Sequence, residues 1–197
     1  MLSILLLAAG SSSRMRGADK LMQDVDGNPL IRTMATRALD TGCPVRVTLP
    51  DAAHPRAKAL ADLDVTQAIV PDADMGMAHS IRAGVSALPA TVTAVMILPA
   101  DMPDLTASDL MKMHQAFTAA PEGALLRGVT SDNHAGHPVI FPQECFEALS
   151  QISGDQGARS VVKEFAGPVV HVPLPDHHAL TDLDTPEDWA HWRNCQD

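Results

Sequence analysis

The chain has 197 residues, 46% of them hydrophobic, enough to build one domain around its own core without staples. Its 24 acidic against 14 basic residues leave a net charge of −10, and four Phe, two Trp and no Tyr offer few stacking platforms; both facts argue against a nucleic-acid partner. Cys43, Cys145 and Cys195 are odd in number and far apart, with neither a zinc-like spacing nor a disulfide framework, which predicts a reducing cytoplasm.

Ser3 to Ala8 is short and uniformly apolar, the pattern of a central strand covered on both faces. No basic residue precedes it and it is about half the length that spans a bilayer, so it reads as neither a leader nor a membrane anchor. Asn28-Pro29 predicts a capped helix start, and Leu30, Ile31, Met34, Ala38 and Leu39 recur at helical spacing until Gly42. A strand is expected over Val45 to Leu49, a helix over Pro55 to Leu63, and a strand over Val65 to Val70. Gly76 to Leu88 predicts another helix and Ala94 to Leu98 a buried strand. Thr106 to Ala119 predicts a helix with Thr106 as N-cap and Asp109 at its third position.

Such alternation gives a doubly wound α/β domain, a mostly parallel sheet with helices on both faces. Beyond residue 120 the pattern loosens, with apolar runs at Ala124 to Val129 and Pro138 to Phe141 and helical stretches at Pro142 to Leu149 and Asp155 to Phe165. A single domain over residues 1–197 is expected, with roughly 120–165 as an insertion on the acceptor side. Pro168 to Pro173 alternates as a strand, and Thr185-Pro186 opens a last helix.

Ligands of this architecture bind beyond the carboxyl ends of the strands. That rule selects the loop after the first strand, where Ala9, Gly10, Ser11, Ser12 and Ser13 leave the backbone uncrowded and Arg14, Arg16 and Lys20 supply charge for a polyphosphate. Neither the P-loop nor the dinucleotide glycine motif is present. The rule also selects Asp101, held between Pro99 and Pro103 after the buried strand. This carboxylate reads as a ligand of Mg²⁺, since hard cations take oxygen donors and arrive with substrate phosphates, or as a helix or turn cap. Asp182 and Asp184, two residues apart, face one side of an extended segment and suggest a shared metal site, with capping by Asp184 as the alternative. His134 with His137, and His177 with His178, lack further ligands at useful spacing and predict no metal centre.

Leu7-Ala8-Ala9-Gly10, Arg14-Met15, Gly17 and Lys20 resemble the signature of nucleotidyltransferases, written L-A-(A/G)-G-x-x-x-R-M-G-G-x-x-K, with Arg16 in place of the first paired Gly. Gly76 to Gly84 is similar to the family's segment beside the nucleobase, Asp101 to its acidic metal ligand, and Asp182-Leu183-Asp184-Thr185-Pro186 to its C-terminal motif. Gly136-His137-Pro138-Val139 and Gly154-Asp155-Gln156-Gly157-Ala158-Arg159 resemble segments of the molybdenum cofactor cytidylyltransferases. This resemblance implies a nucleotide-diphospho-sugar transferase-like, Rossmann-like fold and transfer of CMP from CTP to the terminal phosphate of molybdopterin, with release of pyrophosphate.

The resemblance further implies Arg14, Lys20 and Asp101 as catalytic residues, and Leu7, Ala8, Ala9, Gly10, Ser11, Ser12, Ser13, Gly76 and Ser80 on the nucleotide. His137, Pro138, Asp155 and Gly157 would face the acceptor. Asp101 with Asp182 or Asp184 would hold Mg²⁺, or Mn²⁺. The product would pass to a molybdoenzyme or its chaperone, with no nucleic-acid or membrane partner. The Ala8-Ala9-Gly10 form resembles the CTP-using branch, whereas guanylyltransferases of this fold usually have Ala-Gly-Gly. Another phosphorylated acceptor, an isoprenoid or polyol phosphate, a guanylyltransferase of the same fold, and a non-catalytic cofactor chaperone are the alternatives.

Overall fold

The computed structural model describes residues 1–154 and 157–195. In chain order the strands are β1 (Leu2–Leu7), β2 (Asp24–Val25), β3 (Asn28–Pro29), β4 (Val45–Leu49), β5 (Thr66–Ile69), β6 (Ala94–Pro99), β7 (Leu125–Val129), β8 (Ala135–Pro142) and β9 (Val169–Pro173). The helices are α1 (Leu30–Leu39), α2 (Pro55–Ala59), α3 (Met77–Ser86), α4 (Ala107–Ala119), α5 (Phe146–Gln151), α6 (Arg159–Glu164) and α7 (Pro186–Asn194). Among the described residues, seven strands form one sheet in the order β5-β4-β1-β6-β8-β7-β9. β5, β4, β1 and β6 run parallel, β8 runs antiparallel to β6 and β7, and β9 pairs parallel with β7. The stretch expected as an acceptor-side insertion thus supplies β7 and β8 to this same sheet.

The unbroken apolar run of β1 follows from its place at the centre. Ile4 and Leu6 face the core shared with α1, α4 and α7, and Leu5 and Leu7 face the second core under α3, α5 and α6. Each such fully buried side chain contributes about 1.5 to 3 kcal/mol. Gly84 of α3 lies so close to β1 that a Cβ there would stand 2.4 Å from Leu5 Cδ1. α4 and α7 begin at Thr106 and Thr185 with reciprocal capping boxes through Asp109 and Asp188, as their sequences predict for Thr106 and Asp109.

One element differs from expectation. Asn28-Pro29 does not cap α1 but pairs with Asp24–Val25 in a small hairpin, and Pro29 precedes the helix without a side-chain cap. Asp26 and Gly27, both at positive φ, make an Asp-Gly hairpin turn there, a signal stronger than the Asn-Pro pair. Several boundaries also contract, as at α2, which stops at Ala59, and α6, which begins at Arg159.

The chain runs from β1 outward through β4 to β5, then returns to β6 on the other flank of β1. This reversal opens a crevice between the carboxyl ends of β1 and β6. No described helix is long and apolar enough to cross a membrane.

Candidate functional site

The loop after β1 is pinned at both ends by side chains driven into the core, Met15 and Leu21, and between them its path is set by a buried arginine. Arg56, in the first turn of α2, is only 2% exposed and uses every guanidinium N–H. Nη1 donates to the carbonyls of Ala8 and Gly10, both at 2.7 Å, Nη2 to Ser12 Oγ at 2.9 Å and Asp19 Oδ1 at 2.6 Å, and Nε to Asp19 Oδ2 at 2.8 Å. Burial alone would raise the Asp19 carboxyl, but the Arg56 contacts, with Leu21 N–H and Ser12, hold it below the usual carboxylate range. Ser12 Oγ also accepts from Lys20 N at 3.2 Å, so the clamp reaches the residue that carries the charge.

Lys20 spans the crevice. Its Nζ lies 2.5 Å from Asp101 Oδ2 and 2.6 Å from Asp184 Oδ1. Burial disfavours the ammonium, yet the two carboxylates outweigh it and Lys20 titrates above an ordinary lysine. Arg14 takes the other oxygen of Asp184 at 2.5 Å. Burial pushes Asp184 up, and Lys20 and Arg14 bring it below normal. Arg16, where the resembling pattern has Gly, adopts the left-handed conformation that Gly would favour (φ 53°) and reaches Glu187 of α7 at 2.5 Å.

The segment bearing Asp182 and Asp184 is fastened to the rim by backbone bonds. Leu183 N donates to Asp101 O at 3.0 Å and His137 N to Ala179 O at 2.8 Å. The second bond explains Gly136, where a Cβ would stand 1.9 Å from Ala179 O. Asp188 Oδ2 accepts from Asp184 N at 3.2 Å and so fixes the turn into α7.

The resemblance pairs Asp101 with either Asp182 or Asp184 around one metal, and the structure distinguishes the two. Among the described residues no three acidic, His or Cys side chains converge as a ready metal cluster, because Lys20 stands between Asp101 and Asp184. Asp184 is saturated by cations, which leaves Asp101 and Asp182 facing one cavity. Burial, then the charges of Asp101 and Asp184, raise the Asp182 carboxyl. Two carboxylates under mutual repulsion, beside a space for phosphate oxygens, fit the way Mg²⁺ or Mn²⁺ is usually held, with water and substrate completing its shell.

Two cavities flank the Lys20 bridge. The smaller, about 400 Å³, is bordered by Gly10, Ser11, Asp19, His54, Pro71 and Asp74, at the ends of β1, β4 and β5. The larger, about 630 Å³, carries Asp101, Asp182, His137, Gly157, Arg127 and Arg159 on its walls. Burial pushes His137 down to about 4, against the pull of Asp101 and with the push of Arg127 and Arg159, and its Nδ1 has no partner among the described residues. Gly76, Ser80 and Pro138 line neither cavity, and Ser80 is buried in α3. Asp155 lies outside the described residues. His134 and His178 instead meet Asp132 and Asp109, each at 2.8 Å.

Sequence reasoning missed Arg56, Asp19, Arg127 and Lys163. A cation in the first turn of α2 opposes the helix dipole, and that was the available signal that Arg56 serves another element.

A doubly wound sheet whose switch point carries this serine-rich loop, with Lys20 held against Asp101, has the architecture of a nucleotidyltransferase. The chain belongs to the MobA-like NTP transferase domain family, which matches residues 4–170. It is 30% identical to the purine catabolism protein PucB of Bacillus subtilis (strain 168), over 93% of this chain and 91% of that one. In fold it resembles Rv0371c of Mycobacterium tuberculosis H37Rv, with a TM-score of 0.84 at 22% identity over 98% of this chain and 97% of the other. The manganese complex of Rv0371c gives 0.79 at 21% identity, over 96% of each chain. CMP:2-keto-3-deoxy-manno-octonic acid synthetase complexed with CTP gives 0.74 at 14% identity, over 99% and 98%.

Proposed function

We propose that this nucleotidyltransferase moves CMP from CTP to the terminal phosphate of molybdopterin. The observation that carries a phosphate-transfer reading is the Lys20 ammonium shared between Asp101 and Asp184 beside the clamped loop. Support for CTP comes from Ala9 in the Leu7-to-Gly10 stretch and from the same fold holding CTP in the octonic acid synthetase. Residues 120–165 contribute Arg127, His137 and Arg159 to the larger cavity, which suits a bulky acceptor. Cysteine usage favours a cytoplasmic setting.

An acceptor phosphate oxygen attacks the α-phosphorus of CTP; the new P–O bond forms as the bond to the β-phosphate bridging oxygen breaks, and pyrophosphate departs with that electron pair. The attacking oxygen is already ionised, so no general base is required. Backbone N–H groups of Gly10 to Ser13 and the charges of Arg14 and Lys20 orient the triphosphate and offset charge on the leaving group. Lys20 must exchange a carboxylate for a phosphate as the nucleotide enters. Asp101 and Asp182 would hold a divalent cation, which when bound supplies further neutralisation of the triphosphate. Manganese in the Rv0371c complex supports that reading. Pyrophosphate release measured with CTP against GTP, over molybdopterin and isoprenoid and polyol phosphates, tests it; faster turnover of GTP with molybdopterin refutes the cytidylyl assignment.

A further inference from the structure

The larger cavity contains three cations to which the transfer step above assigns no individual contact. Arg127 of β7 is half-buried, and its Nε and Nη2 reach the carbonyls of Gly136 and Ala135 at 3.2 and 3.3 Å. Those backbone contacts aim the guanidinium without neutralising it. Arg159 and Lys163 border the same cavity from α6, four residues apart and therefore on one helix face. Among the described residues, none of the three lies within ion-pair distance of a carboxylate.

Isolated exposed cations on a helix are commonly solvated and carry no function. Arg127 is different, because it is drawn into the protein beside a like charge. Burial, and then the charge of Arg159, press on its guanidinium, a tension that an anion between the two would relieve. The wall also carries two exposed apolar side chains, Met77 and Leu180, over a floor of buried Ile97, Val139 and Phe141. Acidic residues at one part of this space and basic residues at another suit a ligand that is itself polarised.

We propose that Arg127 and Arg159, assisted by Lys163, form the subsite for an oxyanion group of the acceptor, whose uncharged body lies against Met77 and Leu180. The forked guanidinium groups match the geometry of phosphate or carboxylate oxygens. This assignment rests on the nucleotidyl-transfer reading and adds what selects the acceptor. Phosphate and carboxylate share the chemistry, and the experiment separates them.

The full-length protein, Arg127→Gln and Arg159→Gln are titrated with fluorescent pterin-6-carboxylate, with uncharged 6-methylpterin, and with inorganic phosphate as competitor. Wild type should bind the carboxylate at least about tenfold more tightly than 6-methylpterin, as one charge-assisted contact implies. Both variants should lose that preference while CTP affinity and 6-methylpterin affinity stay within about twofold, and phosphate should compete only in wild type. No preference in wild type, or the same preference in the variants, overturns the subsite. In turnover with molybdopterin, the variants should raise the acceptor KM about tenfold or more and leave the CTP KM unchanged; an unchanged acceptor KM also overturns it. If wild type fails to cytidylylate molybdopterin, the functional reading falls, and the binding titrations still decide the subsite.

Discussion

Arg56 and Asp19 meet in a two-point pair beneath the loop that follows β1, Nε to Oδ2 at 2.8 Å and Nη2 to Oδ1 at 2.6 Å. A lysine can carry the charge into this position but cannot make the fork or reach the two carbonyls of Ala8 and Gly10 together. Arg56→Lys should therefore lower unfolding stability by roughly 3 kcal/mol, the cost of leaving buried partners unpaired. CTP affinity should fall with it, because Ser12 and the loop backbone proposed to take the phosphates lose their support. Urea unfolding beside calorimetric CTP titration measures both. A variant as stable and as tight as wild type would show that the loop holds its path without the clamp.

Lys20 and Arg14 both contact Asp184, yet their removal should have different consequences. The Arg14 side chain is 70% exposed and that of Lys20 14%, so the Arg14 pair adds little to stability. Arg14→Ala should melt near wild type and lose about ten- to hundredfold in kcat/KM for CTP, the worth of one charge-assisted phosphate contact. Lys20→Met should lose at least as much activity and also stability, since Asp101 and Asp184 are left without their common cation. Steady-state kinetics unchanged in both variants would remove the loop from the mechanism.

The parts of this site that could be read from sequence are those whose chemistry is local. The uniform run of β1, the serine-rich loop that follows, and Asp101 between prolines each announce themselves within a few residues, and the strand-helix alternation places them on one rim. Capping at Thr106 was equally legible, since Asp109 stands three residues away. Arg56 was not, because its four partner residues lie 37 to 48 residues earlier in the chain and only tertiary packing brings them together. The same holds for the choice between Asp182 and Asp184. Their spacing puts both on one side, whereas Lys20 and Arg14 decide which one is already neutralised. Asn28-Pro29 misled because a hairpin turn at Asp26-Gly27 outcompeted a helix cap.

His137 should leave a mark on stability below neutral pH. Its folded value of about 4 lies below the roughly 6.5 of an unfolded histidine, so between those values the unfolded chain binds the extra proton. Stability therefore falls as pH drops from about 6.5 toward 4 and the loss levels off below, with an upper limit of about 3 kcal/mol. The contribution is fully present above pH 6.5 or so. Chemical denaturation of wild type and His137→Gln at pH 7.0 and pH 4.5 should show a smaller pH-dependent loss in the variant. Equal losses would mean that the cavity admits a charged imidazole at little cost.

The sharpest division lies among the three carboxylates. Asp101 contacts Lys20 through one oxygen and shares a cavity with Asp182, while Asp184 gives both oxygens to cations. If Asp101 and Asp182 hold a divalent ion against the triphosphate, Asp101→Asn and Asp182→Asn should raise the Mg²⁺ concentration needed for half-maximal turnover and slow the chemical step more than nucleotide binding. Asp182→Asn should also stabilise the free protein slightly, because it removes one of two repelling charges near neutral pH. Asp184→Asn should do neither. It should lower the melting temperature, since Lys20 and Arg14 lose their shared partner, and leave the Mg²⁺ midpoint close to wild type. Mg²⁺ titrations of turnover alongside melting curves for the three variants make the comparison. An Asp101→Asn enzyme that melts lower but keeps the wild-type Mg²⁺ midpoint would show that Asp101 serves Lys20 alone, and an Asp184→Asn enzyme with the largest shift in that midpoint would move the metal to the other side of the bridge.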